Sequence, residues 1–145
     1  MIKIALAYDF EELSNKLIKH CIRFATALNA QVCLIHIAVP DPHLLSYQIG
    51  REKSVKDREA ELRAENRILH RIADQFKDQG IVCEVLMEEG STIEGLREQV
   101  QKIKADYLLI GHHREKGFFR NFLGNSARKL IDRLDIPIIV VPLKD

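Results

Sequence analysis

The chain has 145 residues, of which 46% are hydrophobic and 30% are charged, and its formal net charge is +1. This composition excludes the disordered class, and the near-neutral charge argues against a broad nucleic-acid-binding face. No apolar run approaches the roughly 20 residues that a membrane span needs. Met1 leads directly into an apolar run, without the basic segment or cleavage site of a signal peptide. We therefore expect one cytoplasmic domain over residues 1–145.

Three cysteines, Cys21, Cys33 and Cys83, lie far apart on apolar stretches. The chain has no CxxC motif and no cysteine and histidine spacing that is typical of a metal site. We interpret the three side chains as reduced thiols in the core of an intracellular protein. We expect neither a protein-held metal nor a catalytic residue among them.

The first half of the chain alternates between apolar runs and amphipathic stripes. Residues 2–8 and 31–39 are nearly continuous apolar runs, which predict strands buried on both faces. Between them, spacings of three and four predict a helix with this apolar stripe: Leu13, Leu17, Ile18, Cys21, Phe24, Ala25 and Leu28. The segment 40–50 has no clear period and is interpreted as an excursion or flap.

A long helix is predicted over residues 52–79 and is closed by Gly80. Its apolar stripe recurs every seven residues at Val55, Leu62, Leu69 and Phe76. The first half is dense in charges of both signs. A solvent-facing surface with ion pairs four residues apart explains this pattern better than a partner-binding helix does.

The second half continues the alternation. Strands are predicted at 81–87, 106–110 and 137–141. Ser91 and Glu94 have the spacing of a capping box, ahead of a helical stripe formed by Ile93, Leu96, Val100 and Ile103. Asn125 or Ser126 is predicted to cap a last helix, whose stripe comprises Ala127, Leu130, Ile131 and Leu134.

Strict alternation of strands and helices predicts a parallel sheet with helices on both faces and right-handed crossovers. Such sheets bind ligands beyond the carboxyl ends of their strands. We therefore expect Asp9, the end of the second strand near Ile37 and the loop after Ile110 to converge at one edge.

Several chemical classes are excluded by missing motifs. The chain has no GxxxxGK[ST], no GxGxxG after its first strand and no GxSxG. The doublet His112 and His113 is interpreted as polar loop residues rather than a metal site or a general base, because adjacent side chains on extended backbone diverge. His36 is interpreted as a hydrogen-bonded core residue. Asp9 is equally consistent with a ligand contact and with a helix N-cap.

The loop between the last two strands contains glycines, cations and aromatic rings. A glycine-bearing loop that enters a helix N-terminus favours phosphate binding. Arg114, Lys116 and Arg120 alternate with three phenylalanines, a pattern that also occurs in proteins that bind single-stranded nucleic acid. We favour a packed local aromatic cluster over nucleic-acid binding.

The chain resembles the universal stress protein family over essentially its whole length. The resemblance is carried by the opening IALAYDF (4–10), by LIHIAVP (34–40) and by the run from Gly111 through IIVVP. It implies an α/β fold with a single five-stranded parallel sheet in the order 3-2-1-4-5. It also implies an adenine nucleotide, ATP or AMP, with Mg²⁺ accompanying ATP, and a homodimer that pairs through strand 137–141.

The family's nucleotide motif is Gly, two residues, Gly, nine residues, then Gly followed by Ser or Thr. Gly111 and Gly124 match it at the correct distance, whereas Arg114 replaces the second glycine and Asn125 replaces the hydroxyl residue. Arg114 either closes the site by its bulk or grips phosphate with its guanidinium. The resemblance implies the following contacts: Asp9 with the ribose or adenine, Ala7 and Ile37 beside the base, Ile110 and Gly111 beneath it, and Gly124, Asn125 and Ser126 with phosphates.

Two functions remain open at this stage. One is a nucleotide-binding regulator of the stress response, and the other is a dimeric interaction module that binds no nucleotide. An enzyme such as a nucleotidyl transferase would need a motif that the chain lacks. Any ATP hydrolysis should be slow, because no residue stands out as a general base beside a metal.

Overall fold

The structure, a computed structural model, describes residues 1–10, 14–38, 51–112 and 126–143. Strands and helices alternate along these residues, as the apolar pattern predicts. The strands are β1 (Lys3–Ala7), β2 (Gln31–Ala38), β3 (Cys83–Glu89), β4 (Tyr107–His112) and β5 (Ile138–Pro142). The helices are α1 (Ser14–Leu28), α2 (Arg51–Asp78), α3 (Thr92–Ile103) and α4 (Ser126–Arg133). The segment 40–50 lies outside the described residues.

The five strands form one parallel sheet in the order β3-β2-β1-β4-β5, which confirms the predicted fold class. The chain winds outward from β1 to β3 and then crosses back to β4 on the other side of β1. The strand order therefore reverses between β1 and β4, and this switch point marks the edge at which such sheets bind ligands.

Side chains alternate across the sheet and form two cores. The core shared with α1 and α2 includes Leu6, Leu34, Cys21, Leu69 and Phe76, all with no exposed surface. The opposite core, shared with α3 and α4, comprises Ala5, Ala7, Cys33, Ile35, Ile37, Leu96, Val100, Ala105, Leu108, Ile110 and Leu130. Burial on both faces explains why the central strands are continuous apolar runs.

The helix boundaries follow the predicted signals in one case and depart from them in another. Gly80 ends α2 with φ +76°, and its N–H donates to the Lys77 carbonyl, as predicted for a C′ glycine. Ser91 is the N-cap of α3, but its side chain makes no capping hydrogen bond. The predicted capping box is therefore wrong, because Glu94 turns outward to pair with Arg97 and Arg133 instead.

Two strands are displaced from their predicted limits. β3 begins at Cys83 instead of Ile81 and runs on to Glu89, because an edge strand tolerates charged side chains that face solvent. β4 extends through Gly111 and His112, which pair with Val141 and Pro142 of β5. The prediction that these two residues lie in a loop is therefore wrong, since backbone pairing continues past the apolar run.

Two predicted stripes bury only part of their length. In α2, Leu69 and Phe76 are fully buried, whereas Val55 is 39% exposed. In α4, Leu130 is buried but Ile131 is 58% exposed. Sequence periodicity fixes the apolar face of a helix, but the length of sheet available beneath it decides how much of that face is covered.

Candidate functional site

A cleft opens at the carboxyl edge of the sheet, where β1 and β2 end beside the start of α3. The space between its walls is about 360 Å³, a figure that includes space open to solvent. Apolar and polar residues contribute to its wall in equal number. The lining residues are Ala7, Tyr8, Asp9, Ile35, His36, Ile37, Thr92 and Leu96.

The β1 side of the cleft is fixed by backbone contacts. The N–H of Tyr8 donates to the carbonyl of Ile35 over 2.9 Å, which continues the strand pairing just past the end of β1. Phe10 then turns the chain with φ +65°, a left-handed conformation that costs a bulky residue about 1–2 kcal/mol. Asp9 therefore lies between one residue that is tied to β2 and one that turns the chain out of the sheet.

The α3 side of the cleft depends on a glycine. A Cβ placed on Gly95 would lie 2.9 Å from Cγ2 and 3.1 Å from Cδ1 of Ile37. The missing side chain therefore lets the first turn of α3 approach β2 closely. This approach brings Thr92 and Leu96 to the cleft.

The structure gathers three of the predicted site residues. Ala7, Asp9 and Ile37 line the cleft together. Ile110 is 1% exposed and belongs to the same core as Ala7, beneath the cleft and not on its surface. Ser126 is the first residue of α4.

Arg114, Gly124 and Asn125 lie outside the described residues, as do most of the glycine-bearing loop and its aromatic cluster. The phosphate contacts expected of these residues therefore remain predictions. The same applies to the histidine doublet as a pair, since only His112 of the two is described.

Gly111 has a packing role that the motif does not reveal. A Cβ at this position would lie 2.5 Å from Cδ1 of Leu143 and 3.2 Å from its Cγ, with Cδ2 of Leu17 at 3.5 Å. Gly111 therefore lets the residue after β5 cover the carboxyl end of β4 on the α1 face. This requirement holds whether or not a ligand binds.

His36 confirms the prediction of a hydrogen-bonded core histidine. Its Nδ1 lies 2.8 Å from the Tyr8 carbonyl oxygen, and its Nε2 lies 2.9 Å from Oε2 of Glu65 on α2. The ring also meets the edge of Phe10, with centroids 4.7 Å apart. His36 thereby joins β1, β2 and α2 immediately beside the cleft.

Sequence reasoning missed the contributions of Tyr8, Ile35, His36, Thr92 and Leu96 to the cleft wall. Tyr8 and Ile35 are neighbours of predicted site residues and could have been included. Thr92 follows the recognised N-cap Ser91, but nothing in the pattern shows which end of which strand the first turn of α3 will contact. That information comes from the packing of α3 against β2.

The described residues offer little reactive chemistry. No three histidine, cysteine, aspartate or glutamate side chains among them are grouped so that they could hold a metal ion. Burial raises the pKa of Cys33 to about 11 and that of Cys83 to about 12, and it also raises the pKa of Cys21. At neutral pH these thiols are protonated and therefore unreactive.

The fold is that of an α/β protein whose parallel sheet bears a cleft at the carboxyl ends of β1 and β2. Residues 1–142 match the model of the universal stress protein family, and the chain belongs to that family. None of the helices in the described ranges is long and apolar enough to cross a membrane.

Individual proteins resemble the chain over nearly its whole length, in sequence or in fold. The chain is 27% identical to universal stress protein A of Escherichia coli K12 over 143 residues, which cover 98% of this chain and 94% of the relative. A universal stress protein solved in complex with cAMP superposes with a TM-score of 0.66 at 17% identity, covering 99% of this chain and 98% of that one. The Archaeoglobus fulgidus universal stress protein in complex with dAMP gives 0.63 at 12% identity, covering 97% and 98%.

Proposed function

We propose that this protein is a cytoplasmic, homodimeric regulator of the stress response that binds an adenine nucleotide, ATP or AMP, in the cleft at the ends of β1 and β2. The observation that carries the proposal is the position of Asp9 in the cleft, beside the apolar side chains of Ala7 and Ile37. Solved relatives of the same fold hold cAMP and dAMP. These two ligands share the adenine base, a sugar and one phosphate.

The lining of the cleft suits the nucleoside part of such a ligand. Ile37 and Leu96 supply apolar surface for a flat base. The Asp9 carboxylate can accept a hydrogen bond from a ribose hydroxyl, and Thr92 supplies a further hydroxyl at the rim. In this proposal the phosphates extend from the cleft toward Gly124, Asn125 and Ser126.

The proposal includes no metal held by the protein alone. Since the described residues form no group of metal ligands, Mg²⁺ would bind through the nucleotide's phosphates and water, as this ion commonly does. We expect binding without rapid turnover, and we therefore propose a regulatory protein rather than an enzyme.

The proposed dimer would form at the edge of the sheet. β5 is the last strand of the order, and Val140 on it is 41% exposed. An exposed apolar edge favours pairing with another strand, and a second copy of the same strand would satisfy it across a two-fold axis. The three free, buried thiols support a reducing compartment such as the cytoplasm.

A second candidate is an interaction module of the same family that binds no nucleotide. It is favoured by Arg114, which stands where the nucleotide motif has glycine. A side chain there removes backbone freedom and adds bulk at the expected phosphate position. The two candidates differ in whether the cleft is occupied by nucleotide in solution.

The decisive experiment begins with identification of any small molecule that is released when freshly purified protein is denatured. The stripped protein is then titrated calorimetrically with ATP and with AMP. Asp9→Asn should weaken binding by roughly 10- to 100-fold, consistent with about 1.5–3 kcal/mol for a hydrogen bond to a charged group. Asp74→Asn is the matched control, because Asp74 is an exposed carboxylate on α2.

The Arg114 variants separate the two roles of that residue. If the guanidinium grips phosphate, Arg114→Ala weakens ATP binding more than tenfold. If it blocks the site, Arg114→Gly creates or strengthens binding. Neither released nucleotide nor heat up to millimolar ATP, in the parent protein and in Arg114→Gly alike, would reject the nucleotide-binding proposal in favour of the interaction module.

A further inference from the structure

Four residues form a cluster on the α1 and α2 side of the cleft wall, which we call the His36 cluster: Tyr8, Phe10, His36 and Glu65. His36 is at its centre, and the side chains of His36 and Glu65 are only 12% and 26% exposed. The rings of Tyr8 and Phe10 meet edge to face with centroids 5.0 Å apart. Both rings pack against the core beneath α1 and α2.

The contacts of the imidazole specify its protons. A carbonyl oxygen only accepts hydrogen bonds, so Nδ1, which lies 2.8 Å from the Tyr8 oxygen, must carry a proton and donate it. Nε2 lies 2.9 Å from Oε2 of Glu65. If Nε2 carried no proton, its lone pair would face the lone pairs of a carboxylate, which is repulsive.

The carboxylate oxygen leads to the same conclusion. Oε2 of Glu65 is buried, and the described residues offer it no hydrogen-bond donor apart from a protonated Nε2. A buried carboxylate oxygen without a donor is costly. The geometry therefore requires a proton between Nε2 and Oε2. Because an imidazole is ordinarily a stronger base than a carboxylate, the proton is assigned to the ring, and His36 and Glu65 form an imidazolium–carboxylate pair.

The protonated ring holds the wall of the cleft. It fixes the Tyr8 carbonyl, which belongs to the peptide unit directly before Asp9, while the Tyr8 N–H is fixed by Ile35. Phe10, on the other side of Asp9, rests on the ring edge to face. The aromatic contacts of Phe10 with Tyr8 and His36 favour the left-handed turn at Phe10.

Among the described residues, the groups that contact the ring or pair with His36 come from three elements. α2 presents the Glu65 carboxylate, β1 presents the phenol of Tyr8, and β3 presents the neutral Met87, which is paired in register with His36. A phenol ordinarily titrates near pH 10. Histidine is the side chain that ordinarily changes charge between pH 5 and 8.

We propose that His36 is a positioning residue: its imidazolium, held by Glu65, fixes the Tyr8–Asp9 wall, so that ligand binding in the cleft weakens when the ring loses its second proton. The ligand part of this inference rests on the proposed function, whereas the placement of the wall does not. The direction of the pH dependence follows from the number of bound protons. The state with the fixed wall carries one more proton, so a rise in pH disfavours that state.

The first test needs no ligand. Nitrogen-15 NMR of the full chain follows the His36 ring and the backbone amides of residues 8–10 from pH 5.5 to pH 9. Both ring nitrogens should carry protons at pH 6, and the three amides should shift together with the ring as the pH rises. In Glu65→Gln the amides should no longer follow the ring. His70→Gln, which alters an exposed histidine on the same helix, should behave like the parent protein.

The second test uses adenosine, whose base and sugar do not titrate in this range, so that phosphate ionisation cannot contribute. Adenosine should bind the parent protein and His70→Gln at least threefold more weakly at pH 8.5 than at pH 6. His36→Asn keeps an amide donor near the position of Nδ1 but cannot titrate, so its affinity should be the same at both pH values. Glu65→Gln tests the same point if His36→Asn does not fold.

The outcomes are separable. A ring that carries one proton at pH 6, amides that ignore the ring, or an equal pH dependence in His36→Asn and the parent would overturn the positioning role. If the amides follow the ring but neither adenosine nor ATP binds at either pH, the proposed function fails while the placement of the wall by His36 stands.

Discussion

Because α3 and β2 are in close contact, the effect of Gly95→Ala on the free energy of unfolding should depend on the side chain at position 37. Replacing Gly95 by Ala puts a Cβ 2.9–3.2 Å from three side-chain carbons of Ile37. Overpacking of this kind typically costs about 1–3 kcal/mol. Alanine is better than glycine inside a helix by about 1 kcal/mol. The net loss of unfolding free energy should therefore be about 0–2 kcal/mol.

The two contributions can be separated by a double-mutant cycle. Ile37→Ala removes Cγ1, Cγ2 and Cδ1, the three atoms that the new Cβ would meet. In that background Gly95→Ala should stabilise the protein by about 1 kcal/mol, because only the helix preference remains. The coupling free energy should therefore be about 1–3 kcal/mol, within the range measured for residues in contact.

Urea unfolding of the parent, the two single variants and the double variant measures this coupling. Because the displaced Ile37 lines the cleft, Gly95→Ala should also weaken ligand binding, whereas Glu98→Ala on the exposed side of α3 should not. An equal effect of Gly95→Ala on stability in the presence and absence of the Ile37 side chain would refute the reasoning.

Three further predictions follow from burial and exposure. Gly111→Ala should destabilise the protein by about 1–3 kcal/mol in thermal unfolding, since its Cβ overlaps Leu143; an unchanged midpoint would show that Leu143 moves aside freely. Burial raises the pKa of Cys33 to about 11 and that of Cys83 to about 12. As the pH rises, these thiols therefore ionise in the unfolded chain before they ionise in the folded protein. Stability should therefore fall above pH 8.5, by up to about 1.4 kcal/mol per pH unit for each thiol; Cys→Ala variants with the same pH profile would contradict this. Val140→Lys should shift the sedimentation mass toward the monomer while leaving the unfolding midpoint of the monomer nearly unchanged; unaltered dimer content would exclude β5 as the interface.

Features of this fold that depend on residues close together in the chain can be predicted from the sequence, whereas features that depend on distant partners cannot. Apolar runs and stripes predict the alternation of elements, because the burial of whole faces dominates the energetics of a parallel sheet. The C′ position of Gly80 can be predicted in the same way, because it depends on the adjacent helix alone. The limits of β3 and β4 cannot, because Glu89 and His112 belong to their strands through backbone pairing with the adjacent strands and not through their own side chains.

For the same reason, the sequence predicts only part of the candidate site. Asp9 and Ile37 follow from the rule that strand ends meet at one edge. Leu96 and Gly95 reach that edge through the docking of α3, and Glu65 reaches His36 through the docking of α2. Such contacts join residues far apart in the chain, and no periodic pattern records which residues will meet.

The unequal burial of α2 has a consequence for how this protein can vary. Glu65 meets His36 near the carboxyl end of β2, so the turns before Glu65 lead away from the sheet, and Val55 there is 39% exposed. The turns after Glu65 contain the fully buried Leu69 and Phe76. One continuous helix thus has an inner half that is part of the core and an outer half that contributes less to it. Substitutions at exposed positions of the outer half, such as Val55, should therefore disturb the sheet and the cleft less than substitutions of Leu69 or Phe76.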